Sequence, residues 1–147
     1  MKLKNLIAVF AVGAAIASCG TKKENMAEKL AGAWSGSNTI EITMTDSTGN
    51  TIIQQLVAPM DIEYAADSTF TALITINDTT LIKMGGVVNY TDSLISMSGT
   101  MATTTTMDIA GEVKMNEDET IAITYKGTTP EVNVSHKGTV TATRKAK

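Results

Sequence analysis

Met101-Ala102-Thr103-Thr104-Thr105-Thr106-Met107-Asp108-Ile109-Ala110-Gly111-Glu112-Val113-Lys114-Met115 is the stretch whose reading decides the fold. Taken alternately, one side carries Met101, Thr103, Thr105, Met107, Ile109, Gly111, Val113 and Met115. The other carries Ala102, Thr104, Thr106, Asp108, Ala110, Glu112 and Lys114. Side chains of a strand point to opposite faces in turn, so this pattern is a strand with one apolar and one wet face.

The same test works outward along the chain. It puts Ile40, Ile42 and Met44 inward, then Leu56, Met60, Ile62 and Tyr64, then Phe70, Ala72, Ile74 and Ile76. Ile82, Met84, Val88 and Tyr90 follow, then Ile95 and Met97, then Ile121, Ile123 and Tyr125, then Val132, Val134 and Val140. Turn residues recur at 46–50, 66–68, 77–78, 92–93, 98–99, 116–118 and 127–130. They divide the chain into eight strands, about 34–45, 51–65, 69–77, 80–90, 93–98, 101–115, 119–126 and 132–144. Short connections between one-sided strands, with no helix to cover an edge, predict an all-β fold: an eight-stranded antiparallel up-and-down β-barrel. A two-sheet sandwich satisfies the same alternation but needs longer crossings. A transmembrane barrel would turn its apolar face outward between aromatic girdles, and six aromatic residues in the chain do not make two girdles.

The N-terminus carries a separate signal. Lys2 and Lys4 precede an apolar run from Leu6 to Ala17, which closes on Ser18 and the only cysteine, Cys19. Its 12 residues fall short of the roughly 20 that span a bilayer, so the run reads as a secretory signal. Ile16-Ala17-Ser18-Cys19 resembles the lipobox of bacterial lipoproteins, in which the cysteine is acylated and becomes the mature N-terminus. The expected layout is a lipoprotein signal peptide at 1–18, the lipidated Cys19 and a polar tether at 19–30, and the barrel domain at 31–147. The partner is then the membrane, through the lipid anchor, and the expected address is the outer membrane of a Gram-negative envelope. Loss of residues 1–18 takes two of the 12 bases and none of the 15 acids, leaving a charge near −5. That balance argues against nucleic acid and against electrostatic docking on anionic lipid.

Gly32-Ala33-Trp34 opens the domain and Arg144 stands near its end. These residues resemble the lipocalin (calycin) signature, a Gly-x-Trp on the first strand and a basic residue late in the last. The resemblance implies that the indole plugs the closed end of the barrel with the basic side chain across it. It also implies a lumen that takes a small apolar or amphipathic ligand. By parity Trp34 and Arg144 both face inward, where a cation–π contact offsets the cost of an inward charge.

No catalytic or metal-binding constellation emerges, and neither enzymatic activity nor a cofactor is expected. His136 is the only histidine, and Cys19 the only thiol. Gln54, Thr103, Thr105 and His136 fall on the inward face and are candidate polar contacts for a lumen ligand. Met44, Met60, Met84, Met97, Met101, Met107 and Met115, with Phe70, Tyr64, Tyr90 and Tyr125, form the candidate lining. Thioethers bind Cu(I), but no second His or Cys accompanies them, so a soft apolar lining is the better reading. Ser47, Ser68, Thr79 and Ser93, each after an aspartate in a turn, resemble the O-glycosylation acceptors of some Gram-negative bacteria; the same dipeptides are ordinary turn chemistry. The alternative function is a protein-interaction module of the envelope, an assembly factor or an inhibitor of a lytic enzyme. Ser98-Gly99 does not complete the Ser-Gly-x-x-Tyr loop of small lipoproteins that inhibit lysozyme.

Overall fold

Alternation on this scale, in a chain of Thr, Ile and Val with two prolines, can bury its apolar faces by curling one sheet on itself. In the computed structural model that is the outcome. The structure describes residues 26–103, 105–129 and 134–146. The expected signal peptide, Cys19, the start of the tether, Thr104 and Val132 lie outside the described residues.

Eight strands follow in order: β1 (Gly32–Thr45), β2 (Thr51–Tyr64), β3 (Thr69–Thr75), β4 (Leu81–Tyr90), β5 (Ile95–Ala102), β6 (Thr106–Met115), β7 (Thr120–Thr128) and β8 (Val134–Arg144). Each pairs antiparallel with its neighbour in sequence, and β1 pairs β8 from Trp34↔Arg144 to Met44↔Val134, closing the barrel. The core is the lumen. Ile40, Met60, Ile62, Ile74, Met101, Ile121, Ile123 and Val140 are each at most 2% exposed. Lys83, Asp108, Glu112, Lys114, Lys126 and Lys137 stand exposed on the outside. The chain from Gly20 onward contains every strand and core residue described.

Two corrections concern local structure. Ser98-Gly99 is not a turn: β5 runs through it to Ala102, and Gly99 faces Gly86 on β4. A Cβ at either glycine would collide with the facing backbone, so the pair marks a close approach of strands rather than a reversal. The stretch 101–115 is correspondingly two strands, with Met101↔Met107 and Ala102↔Thr106 paired across a turn at 103–105. That turn has no Gly, Pro, Asn or Asp. Thr103 supplies the chemistry instead, its Oγ1 donating to Thr105 O (2.9 Å) and accepting from Thr105 N (3.3 Å).

The end near the N-terminus is sealed. Residues 26–30, expected as tether, form a helical turn whose Leu30 is fully buried. Trp34 Nε1 donates to Leu30 O at 2.8 Å, and the Arg144 guanidinium lies 4.3 Å over the indole. Arg144 also donates to Ala31 O at 2.8 Å and to Lys29 O. Gly32 adopts φ +119°, and a Cβ there would press on that guanidinium.

At the other end one seam of the wall stops early. β2 pairs β3 only from Met60↔Ile74 to Tyr64↔Phe70. The next ladder position holds Pro59, which has no N–H to donate. From Thr51 to Pro59, β2 pairs only with β1 among the described residues, while β1 stays paired to β8 as far as Met44↔Val134, so this stretch of β2 is an arm with one free edge at the barrel mouth.

Candidate functional site: a cavity at the open end

Below the arm lies a cavity of about 480 Å³ that opens to solvent. Its walls are Ile40 and Ile42 from β1, Leu56 from β2, Ile76 and Ile82 beside the β3–β4 turn, and Met107 from β6. Thr103 and Thr105 stand at the rim, and Thr129, Val134 and His136 form the β7–β8 side. These aliphatics sit on the inner face of each strand but above the level where the lumen fills, which is why they border space instead of one another.

The floor on the β7–β8 side is polar and buried. His136 (4% exposed) stacks at 5.7 Å on Tyr125, and its Nε2 lies 3.3 Å from the Tyr125 hydroxyl. Asn38, fully buried, donates from Nδ2 to that hydroxyl at 2.8 Å. The phenol oxygen thus accepts from Asn38 and shares a hydrogen bond with His136 Nε2, whose direction follows the imidazole tautomer. Burial pushes the His136 pKa down, so the ring is neutral at physiological pH. Burial pushes Tyr125 up, with the Asn38 hydrogen bond opposing it. Tyr125 fits because its ring lies where a Cβ on the facing Gly138 would be. Two acceptors of this region remain unsatisfied: Asn38 Oδ1, and Thr129 Oγ1 on the cavity side.

The residues singled out from sequence divide by height. Met107 and His136 line the cavity, and Thr103 and Thr105 border it. The two threonines are exposed in their turn rather than inward on a strand, because the chain reverses there. Gln54 is exposed on the arm and is not among the residues around the cavity, since the wall opposite it ends at Ile74. Met60, Met84, Met97 and Met101 are buried in the filled part of the lumen, as is Tyr125. Tyr64 and Phe70 pack together near the sealed end, ring centroids 6.2 Å apart. Burial pushes the Tyr64 hydroxyl pKa far up. Tyr90 and Met115 are half-buried at the same end, and Met44 is half-buried near the arm tip. The lining proposed from parity is therefore mostly core: parity sets the face of a strand, not the height at which the barrel becomes hollow. Asn38 and Thr129 were missed. Parity alone places Asn38 inward, between Trp34 and Ile40 on the same face.

Ser47, Thr79 and Ser93 are exposed in turns, and Ser68 is half-buried at φ 65°. Two of the neighbouring carboxylates are engaged in those turns. Asp46 Oδ1 accepts from Thr48 and Asn50, and Asp67 Oδ1 from the amide and hydroxyl of Thr69. Among the described residues no three His, Cys, Asp or Glu side chains converge to hold a metal ion. Compared with known families and curated proteins, no family model matches this chain and no curated protein is similar to it.

Proposed function

We propose that this is a lipid-anchored, lipocalin-like protein of the Gram-negative outer membrane that binds a small apolar or amphipathic molecule in the open end of its barrel. The observation that carries the reading is the cavity of about 480 Å³, within the range of small-molecule sites, with apolar walls and a few neutral polar groups on one side. The Trp34–Arg144 stack at the opposite end agrees with the lipocalin resemblance. Charged residues around the outside of the barrel agree with an aqueous surrounding and leave membrane attachment to acylated Cys19.

The test is native mass spectrometry of the protein purified from its own envelope, beside an Ile82→Trp variant whose indole fills the cavity. A co-purifying small molecule in the natural protein and its loss in the variant support the reading. An empty natural protein that also fails to bind added hydrophobic fluorophore refutes it. The intact mass of the same sample reads acylation at Cys19 and any glycan on Ser47, Ser68, Thr79 or Ser93.

One observation favours the second reading, a protein-interaction module. Ile52, Ile53, Leu56 and Val57 are 39–65% exposed on the β2 arm, beside its unpaired backbone edge. A strand of a partner protein would find both hydrogen-bonding groups and apolar side chains there.

A further inference from the structure

Among the described residues the cavity has one polar wall, and its members are uncharged. His136 and Thr129 stand together beside the β7–β8 turn, and across from them the lining is Ile40, Ile42, Ile76 and Ile82. Among the described residues no Lys, Arg, Asp or Glu lines the cavity. Thr129 Oγ1 is buried without a hydrogen-bond partner. His136 spends Nε2 on Tyr125, which leaves Nδ1 as the ring nitrogen for a further hydrogen bond.

From this pairing we infer, resting on the ligand-binding reading above, that the ligand is a single-chain amphiphile with an uncharged head. The head is a hydroxyl, amide or ester that hydrogen-bonds with His136 Nδ1 and with Thr129 Oγ1. A carboxylate or ammonium head would lose its hydration against this wall with no counter-charge to replace it, so the site discriminates by charge rather than by chain. The space accommodates on the order of ten to fifteen non-hydrogen atoms, taking about 30 Å³ for each and imperfect filling. A medium-length chain fits; a two-chain lipid does not.

The test is calorimetric titration of the chain from Gly20 onward with 1-decanol and with decanoate at about pH 8, where the acid is ionised. The two share a chain and differ in head charge. The alcohol is expected to bind at least about tenfold tighter, and His136→Leu to reduce that preference by about tenfold. Comparable or tighter binding of decanoate overturns the inference and leaves the cavity reading standing. Binding of neither ligand removes both. A His136→Leu protein that keeps its fold and its full preference for the alcohol overturns the role given to the imidazole. If that variant does not fold, Thr129→Val carries the same comparison from the other side of the head group.

Discussion

At the scale of single residues, His136 links the site to stability. Its ordinary pKa of 6.5 is lowered by burial. Between the lowered value and 6.5, the unfolded chain binds a proton that the folded chain refuses. Stability therefore rises with pH through this window and is lost as pH falls below 6.5. Asp46, Asp67 and Asp118 are held below their usual 3.8 by hydrogen bonds from Thr48, Thr69 and Thr120, and Asp61 by Ser35 and then Lys145. Their contribution is present above 3.8 and is lost at lower pH, whereas that of His136 is already being lost below 6.5. Urea unfolding at about pH 7 and about pH 5 is expected to show a drop in the natural protein and a much smaller one in His136→Gln. An equal drop in both proteins assigns the dependence to other groups. Asn38 has the opposite character. Its buried, unsatisfied Oδ1 costs stability, on the order of 1–3 kcal/mol for a group of this kind, to keep the Tyr125 hydroxyl oriented.

Among the elements, the β2 arm makes the clearest prediction. From Thr51 to Met60 it has no charged residue, although Lys or Glu is the usual protection of a free edge. Sedimentation is expected to show concentration-dependent association of the chain from Gly20 onward, and Val57→Lys is expected to abolish it. That substitution on an exposed strand position should change folding stability by no more than about 0.5 kcal/mol. Association that persists in Val57→Lys places the contact elsewhere. The eight strands were legible in the sequence because water on one side forces alternation, and each inward apolar residue is there to be read. Where one strand ended and the next began was less legible. Thr103 builds its turn from hydroxyl bonds that a run of threonines does not advertise, and Gly99 signals a turn when it serves close packing. The cavity was least legible. Whether Met101 is core and Met107 is lining depends on how far the strands opposite them extend, and that is a property of the closed sheet.

For the whole molecule, the two ends have different roles. Met26, the first residue described, packs against the sealed end and lies seven steps along the chain from Cys19. An extended tether of that length reaches at most about 25 Å, so an acylated Cys19 would hold the sealed end toward the bilayer. Because Cys19 is the only cysteine, single labels are clean. A fluorophore on Glu117→Cys, in the β6–β7 turn of the sealed end, should be quenched strongly by a lipid-borne quencher. One on Asp78→Cys, in the β3–β4 turn of the open end, should be quenched weakly, and the reverse order would invert the orientation. The missing N–H of Pro59 then acquires a kinetic meaning. Because the β2–β3 ladder already ends at Met60↔Ile74, the Thr51–Pro59 stretch of β2 can peel from β1 without breaking a hydrogen bond of that seam, while β1 stays paired to β8. Amides of the arm would exchange with solvent through this local opening while those of the sealed half wait for global unfolding. The residence time of a bound molecule is thereby uncoupled from the stability of the barrel that holds it.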